Sequence, residues 1–467
     1  MRPDRRGTRM TALTCFKAYD IRGRLGIDLD AAIAARIGHA FAQALGAGRV
    51  VLGRDARASS AELAAAVAQA LVAEGVTVLD LGLSGTEEMY FATTHFGADG
   101  GICVTASHNP MDWNGMKMVG AGSAPLDPAT TMARIKALAE AGETGPAGRT
   151  GSVSDVGAEA RAAYVTRVLS FVDIAALRPL SIVVNAGNGA AGPTFDAIAA
   201  ELAARGAPLT FHRMHHDPDG TFPNGIPNPL LPENRPVTAD AVRAHGADLG
   251  VAWDGDFDRC FFFDAQGRFI DGEYVVGLLA QAFVAREPGA TIVHDPRIIW
   301  NTQSVVTAAG GRAVQARTGH AFLKAALREH GAVYGGEMSA HHYFRDFVCC
   351  DSGMIPWLLV AELIGRTGRP LADLVAAMQA AFPSSGEINF TLADPQAAVA
   401  RVRAAYAPQA IHTDTTDGLG LSFADWRFNL RASNTEPVLR LNVETRGTPV
   451  APPVAPHVAA LRALIEG

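Results

Sequence analysis

Apolar and polar positions along the first third of the chain fall into blocks whose period switches. Arg49-Val50-Val51-Leu52-Gly53 is a short apolar run closed by glycine, and polar Arg54-Asp55-Ala56-Arg57 follows it. A run of that length bounded by turn residues predicts a buried strand. The Ala-rich stretch 60–74 predicts a helix, and Gly75 is placed to end it. Residues 76–82 and 101–105 predict two further strands. Strands spaced by helices of this length predict βαβ units and a mainly parallel sheet.

The pattern restarts twice. Leu180-Ser181-Ile182-Val183-Val184-Asn185 runs into a Gly-rich turn and an Ala-rich helix, and Thr291-Ile292-Val293-His294-Asp295 opens a third unit with helical stretches near 304–309 and 321–330. Glycine-rich or proline-rich punctuation precedes each restart, at 141–148 and 269–272, and recurs at 382–386. After it, 426–431 and 438–443 alternate as two strands around a polar loop. The chain is therefore read as α/β: three similar α/β domains with mixed sheets, plus a smaller C-terminal α+β domain. The boundaries placed on this pattern are 10–152, 153–268, 269–381 and 382–467.

Composition narrows the class without naming a function. A length of 467 residues predicts about three domains, at roughly 150 residues each, and two to four is the range. Hydrophobic residues are 48% and charged ones 19%, enough for buried cores. The net charge of −7 removes any bulk electrostatic case for nucleic acid. Five cysteines without C-x-x-C spacing suit a reducing cytoplasm better than a disulfide framework. The longest apolar stretches, near 275–285 and 355–363, fall short of the roughly 18–20 residues that span a bilayer. The N-terminus is basic and lacks the apolar core of a signal peptide; Met10, which follows it, is a candidate start.

The strongest chemical signal is Asp254-Gly255-Asp256-Phe257-Asp258-Arg259, directly after an apolar strand. Carboxylates at i, i+2 and i+4 converge where a strand ends and turns. At about 4 Å and an effective dielectric of ~20, each like-charge pair costs on the order of 4 kcal/mol. A bound cation removes that cost, and hard oxygen ligands in this number suit Mg²⁺. A solvated acidic turn is the alternative. An EF-hand is excluded, because Arg259 and Ala265 stand where that loop needs Gly and Glu.

Three other loops carry weaker signals. Thr105-Ala106-Ser107-His108-Asn109-Pro110 follows a strand, which exposes Ser107; it lacks the G-x-S-x-G elbow of acyl transfer. Beside a carboxylate-held cation, that hydroxyl is a candidate phosphoryl acceptor, and Lys117 a base or phosphate partner. Arg431-Ala432-Ser433-Asn434-Thr435-Glu436-Pro437 combines a guanidinium fork with short donors, the composition of a phosphate cradle. Gly335-Gly336-Glu337-Met338-Ser339-Ala340-His341-His342 offers an acceptor, a hydroxyl and two imidazoles, which suits sugar hydroxyls. Each is also compatible with an ordinary polar turn.

Taken together, Lys17-Ala18-Tyr19-Asp20-Ile21-Arg22-Gly23 and the loops 105–110, 254–259, 336–341 and 431–437 resemble, in order and spacing, the bacterial phosphomannomutases of the α-D-phosphohexomutase superfamily. The resemblance covers essentially the whole chain. It implies four domains around a central cleft, with Ser107 as phosphoserine donor and Asp254, Asp256, Asp258 and a phosphoryl oxygen of Ser107 on Mg²⁺. It implies that Glu337 and Ser339 read the sugar, and that Arg431, Ser433, Asn434 and Thr435 hold the non-reacting phosphate. Tyr19, Arg22, Lys117, Arg259, His320 and His341 match active-site positions, with Lys117 and His341 as acid/base candidates. Two positions depart from the pattern: Arg297 stands where some relatives carry Lys, and Phe257 replaces a small residue.

The activity implied is interconversion of mannose 6-phosphate and mannose 1-phosphate through a hexose 1,6-bisphosphate, which also serves as primer. That activity supplies GDP-mannose synthesis in the cytoplasm, by a monomer or homodimer without nucleic-acid or membrane partners. Glucose or dual specificity is the nearest alternative. A phosphatase using Asp254 as nucleophile, on the strength of the D-x-D pattern, and a non-catalytic sugar-phosphate sensor are the more distant ones.

Overall fold

A computed structural model describes residues 12–142, 150–432, 438–447 and 450–467. Its first sheet has six strands in the order Ile21–Arg24, Trp113–Gly120, Gly100–Val104, Arg49–Arg54, Thr77–Leu83, Ser152–Asp155. Arg49–Arg54 pairs in parallel with both its neighbours, while Trp113–Gly120 returns antiparallel beside Gly100–Val104. The second sheet repeats the plan, with Leu180–Asn185 parallel to Leu209–Met214 and to Leu249–Trp253, followed by antiparallel Cys260–Asp264 and Phe269–Ile270. The third does so again: Thr291–His294 is parallel to Arg312–Gln315 and Tyr334–Gly336, with His342–Phe344 and Cys350–Asp351 antiparallel beyond.

The sheets are therefore mixed, as expected for the three α/β units, and the first has three parallel pairings against two antiparallel ones. In each, the last parallel strand turns directly into an antiparallel return, because only a short polar loop separates two apolar runs and no crossover helix fits there. Those turns hold residues 105–112, 254–259 and 337–341. The fourth sheet is antiparallel throughout, with Trp426–Ala432 and Leu439–Thr445 paired at its centre. The helices Pro395–Tyr406 and Ala455–Glu466 complete that unit.

Two edges differ from the expected boundaries. Ser152–Asp155 adds to the first sheet in parallel with Thr77, and Phe269–Ile270 closes the second sheet. The first and second sheets thus run past residues 152 and 268. Ser152–Asp155 is exposed throughout and carries no apolar alternation to announce it.

Local signals account for the helix ends. Asp30 accepts a hydrogen bond from the Ile33 amide at 2.8 Å to start Ala31–Leu45, and Gly46, at φ 62°, ends it. Among the described residues, no helix is long and apolar enough to cross a membrane.

Packing joins the units unequally. One continuous buried cluster runs from Val51 and Tyr90 through Phe195 and Trp253 to Tyr334, Trp357 and Met378, so the first three units share a core. The fourth has its own, built on Leu421, Phe428, Leu430, Leu441 and Leu461. It docks on the third through buried polar groups. Arg427 donates to the Arg297 and Pro296 carbonyls at 2.9 and 3.0 Å and to Glu444 at 2.7 Å. Glu444 in turn accepts from the amides of Ile299 and Trp300 at 2.8 and 3.0 Å.

Arg427→Met would leave Glu444 buried without its cation, and losing one partner of such a pair costs about 3–5 kcal/mol. Scanning calorimetry should therefore show a clearly lowered Tm. An unchanged Tm would mean that the pair does not carry this interface.

Candidate active site

The three hairpin turns meet at one cleft of about 480 Å³, and the fourth unit closes its far side. Ser107 sits at the tip of the first turn with φ 49°, a left-handed backbone that its surroundings must hold in place. Arg57 does much of this, donating to the carbonyls of Ser107, Asn109, Pro110 and Trp113 at 2.5–3.1 Å. Arg22 adds a 2.6 Å bond to the Thr105 carbonyl. The Ser107 hydroxyl donates across the cleft to Asp254 Oδ2 at 2.5 Å. Gly255 permits that approach, since a Cβ there would lie 2.5 Å from the Ser107 carbonyl oxygen.

Asp254, Asp256 and Asp258 converge, their ligand oxygens all lying within 4.8 Å of one another. One oxygen of each is fixed by a protein donor. Asp254 Oδ2 accepts from Arg259 Nε at 2.9 Å as well as from Ser107. Asp256 Oδ2 accepts from Thr86 Oγ1 at 2.5 Å and Lys117 Nζ at 2.9 Å, and Asp258 Oδ2 accepts from Lys117. The other oxygen of each is buried without a hydrogen-bond partner among the described residues. Three buried carboxylates this close, each with one oxygen that lacks a hydrogen-bond partner, are a hard, anionic donor set, and they fit Mg²⁺.

The electrostatics match that reading. Burial and the neighbouring Asp256 push Asp258 up to about 7, against the pull of Lys117. Burial acts to raise Asp256 as well, but Lys117 and the Thr86 hydroxyl outweigh it and hold the carboxyl low. The helix Thr86–His95 begins at this contact, and the Thr86 amide also donates to the Asp256 carbonyl at 3.2 Å. The Phe257 ring packs beside the N-cap of that helix. It is fully buried against Gly85, where an added Cβ would lie 2.3 Å from the ring.

Two imidazoles bound the cleft differently. His341 Nδ1 is 3.0 Å from Asp351 Oδ2 and 3.8 Å from Asp258 Oδ1, and Asp351 is braced by buried Lys324 at 2.8 Å. Burial opposes the His341 imidazolium, but Asp258 and Asp351 raise its pKa above the ordinary value. His320 Nε2 is 3.0 Å from Asp20, and burial keeps its pKa low although Asp20 opposes this. The Tyr19 ring meets His320 edge-on at 4.8 Å. Lys117 differs again: burial disfavours its ammonium, but Asp256 and Asp258 hold its pKa well above the ordinary value.

At the far end, Glu337 accepts from the Gly319 amide at 3.1 Å and the Tyr343 hydroxyl at 2.6 Å. Ser339 Oγ accepts from Arg297 at 3.0 Å. Arg297, the departure from Lys, is buried and bound to Asp295 at 2.8 Å. Arg431 lines the same end of the cleft.

Tyr19, Arg22, Ser107, Lys117, Arg259, His320, Glu337, Ser339, His341 and Arg431 thus all line one cavity, with the three aspartates behind Ser107 and Lys117. Ser433, Asn434 and Thr435 lie outside the described residues. The sequence reading missed Arg57, Thr86, Asp351, Lys324, Glu387 and Arg440. Arg57 stands in the polar stretch after the first strand, where a signal existed. The others look ordinary until tertiary contacts give them partners. Asp254 is poorly suited as a phosphatase nucleophile, because Arg259 and Ser107 already engage one of its oxygens and the other belongs to the triad.

Family models match the chain along most of its length. They describe phosphoglucomutase/phosphomannomutase alpha/beta/alpha domain I over residues 14–145, domain II over 162–267, domain III over 271–382 and the C-terminal domain over 387–460. A phosphomannomutase of Salmonella montevideo is 60% identical over 94% of this chain and 96% of its own. A protein of Xanthomonas campestris described as phosphohexose mutases is 56% identical over 93% and 96%. The crystal structure of a phosphoglucomutase/phosphomannomutase family protein from Burkholderia thailandensis superposes with TM-score 0.82 at 34% identity, covering 98% of this chain and 96% of that one.

The Thr86 contact gives a specific expectation. Thr86→Val keeps the shape but removes the donor to Asp256. Loss of a group that orients a metal ligand typically weakens metal affinity about 10- to 100-fold. Mg²⁺ titration calorimetry should show a loss in that range, and an unaltered affinity would mean the hydroxyl does not hold the carboxylate.

Proposed function

The chain belongs to the phosphoglucomutase/phosphomannomutase family and is a phosphohexomutase, an isomerase; from that premise we propose that it interconverts mannose 6-phosphate and mannose 1-phosphate through phosphorylated Ser107. The observation that carries the reading is the Ser107 hydroxyl, 2.5 Å from Asp254 and set at the mouth of three carboxylates with unpartnered oxygens. The choice of mannose is supported by the 60% identity to a relative named as a phosphomannomutase.

In the proposed reaction the P–Oγ bond of phosphoserine 107 breaks as a new P–O bond forms to a sugar hydroxyl, whose proton passes to a base. The resulting hexose 1,6-bisphosphate turns end for end, and Ser107 Oγ takes back the other phosphate. Bisphosphate added from outside would prime unphosphorylated enzyme. Asp254, Asp256 and Asp258 would hold Mg²⁺, which when bound draws negative charge from the phosphoryl oxygens. Arg22 and Arg259 face the same loop and offset the roughly −1.5 to −2 charge of a phosphoserine.

Lys117 serves as a fixed cation, because its ammonium lies between two carboxylates. His341, steadied by Asp351, is the better-placed group to exchange the hydroxyl proton. Tyr19 and His320 form the cleft wall, Glu337 and Ser339 read sugar hydroxyls, and Arg431 with Ser433, Asn434 and Thr435 takes the phosphate that is not reacting. Cleft closure would keep water from the phosphoryl group. The product, mannose 1-phosphate, is the substrate for a nucleotidyl transfer to GDP-mannose. The enzyme would work in the cytoplasm as a monomer or homodimer.

Peptide mass spectrometry of active enzyme should locate the phosphoryl group on Ser107, and its consistent presence elsewhere would overturn the assignment. Asp256→Asn should reduce turnover by orders of magnitude while changing hexose phosphate affinity little, measured by steady-state kinetics beside calorimetry. A coupled assay should give a higher kcat/KM for mannose 1-phosphate than for glucose 1-phosphate; the reverse order would reassign the sugar.

A further inference from the structure

The second unit lends the cleft a wall besides its metal-site turn. Ile226, Asn228, Leu230 and Leu231 line the cavity from that side. The segment that carries them is held at nearly every residue. Pro227 and Pro229 flank Asn228, and each fixes its own φ. Pro227 seats on Gly187, where an added Cβ would lie 2.3 Å from the proline Cβ. Asn234 Nδ2 and the Leu231 amide both donate to the Asn228 carbonyl at 3.1 Å. Arg235 donates to the Pro229 and Leu230 carbonyls at 3.1 and 2.7 Å, and its guanidinium lies 3.7 Å from the centre of the Phe269 ring. Leu230 packs on the cluster that includes Ala340, the residue between Ser339 and His341. The wall is thereby fixed against the turn that carries Glu337 and Ser339.

One side chain of this well-bonded wall is left over. Asn228 is 9% exposed, and its Oδ1 is buried without a hydrogen-bond partner among the described residues. A buried acceptor without a donor is costly, so such a group calls for a partner. The wall side chains beside it in the cavity, Ile226, Leu230 and Leu231, are apolar and supply none. A phosphate group offers acceptor oxygens rather than donors. A sugar hydroxyl offers the O–H that is missing. An uncharged amide set among apolar neighbours is also the kind of group by which a pocket fixes the orientation of the neutral part of a ligand.

We propose that Asn228 is a sugar-binding residue of the second unit, whose side-chain amide accepts a hydrogen bond from a ring hydroxyl of the hexose phosphate. This role rests on the reading of the cleft as the hexose phosphate site. It adds a contact from a second unit to those assigned to Glu337 and Ser339 of the third. The sugar is then held from two walls by groups that read hydroxyls, apart from the groups that meet its phosphates. Because the prolines fix where the amide stands, it favours a sugar with a hydroxyl at that one place.

The test uses the full-length enzyme, the hexose 1-phosphate that the unaltered protein turns over best, and the 2-, 3- and 4-deoxy forms of that sugar phosphate. Asn228→Ala should raise KM about three- to tenfold, the scale of one lost hydrogen bond, with kcat changed less. Inorganic phosphate should bind the variant as it binds the unaltered enzyme, measured by calorimetry, because the amide meets the sugar. One deoxy sugar should show coupling: the kcat/KM it loses in the unaltered enzyme should not be lost again in Asn228→Ala, where its missing hydroxyl has no partner. Thermal melting checks that the variant folds, and Asn228→Ser, smaller but still polar, takes its place if it does not. An unchanged KM would mean that the amide finds its partner elsewhere and would overturn the proposal. So would weakened binding of inorganic phosphate, or equal losses for all three deoxy sugars in both enzymes. Glu337→Gln separates the two levels. If it leaves KM unchanged, the reading of the cleft fails; if it raises KM while Asn228→Ala does not, only the role of Asn228 does.

Discussion

Everything around the cleft is organised by the mutual repulsion of Asp254, Asp256 and Asp258. Three carboxylates buried within 4.8 Å of one another cannot stand uncompensated. The fold meets this with donors brought from elsewhere: Ser107, Thr86 and Lys117 from the first unit, and Arg259 from the same turn. Together they engage one oxygen of each aspartate, and the other three oxygens are left buried without a hydrogen-bond partner among the described residues. The same contacts that relieve the repulsion dock the first unit on the second, and they set the serine beside the site that fits the metal.

The second organising fact is the repeated sheet. Three units share one plan, in which a parallel strand hands over to an antiparallel return through a short turn. The loops carrying Ser107, the three aspartates, and Glu337 with Ser339 occupy that turn in successive units. Because the sheets face a common centre, three equivalent turns become three walls of one cavity. The turns also bond to each other directly: Arg259 bridges to His341, and the Cys260 amide donates to the Ala340 carbonyl. The fourth unit keeps a separate core and docks through Arg427 and Glu444, a polar contact that ties its position to the backbone carrying Arg297.

Much of this was legible in the residues. Alternating apolar runs announced the strands, glycines marked turns, and the three-carboxylate spacing was informative because no solvated turn requires it. Short edge strands were not legible. Ser152–Asp155 pairs only because Thr77–Leu83 offers an open edge, and its own side chains are all exposed. The orienting groups were invisible for a related reason. Thr86, Asp351 and Glu387 are unremarkable in sequence, and each gains meaning only from partners on other elements: Asp256 for Thr86, His341 and Lys324 for Asp351, and Arg297, Arg431 and Arg440 for Glu387.

What the sequence determined by itself was the set of loops, their order and the chemical character of each, because strand and turn propensities and the spacing of charged groups are local. Tertiary structure decided how those groups share their charges. It placed the Lys117 ammonium between the carboxylates of Asp256 and Asp258. It set Arg440 opposite Arg431 with Glu387 between them, and gave each aspartate one satisfied oxygen and one open one. Burial magnifies each of these choices, since a charge removed from water is governed by the few groups that touch it, and only the folded chain selects those groups.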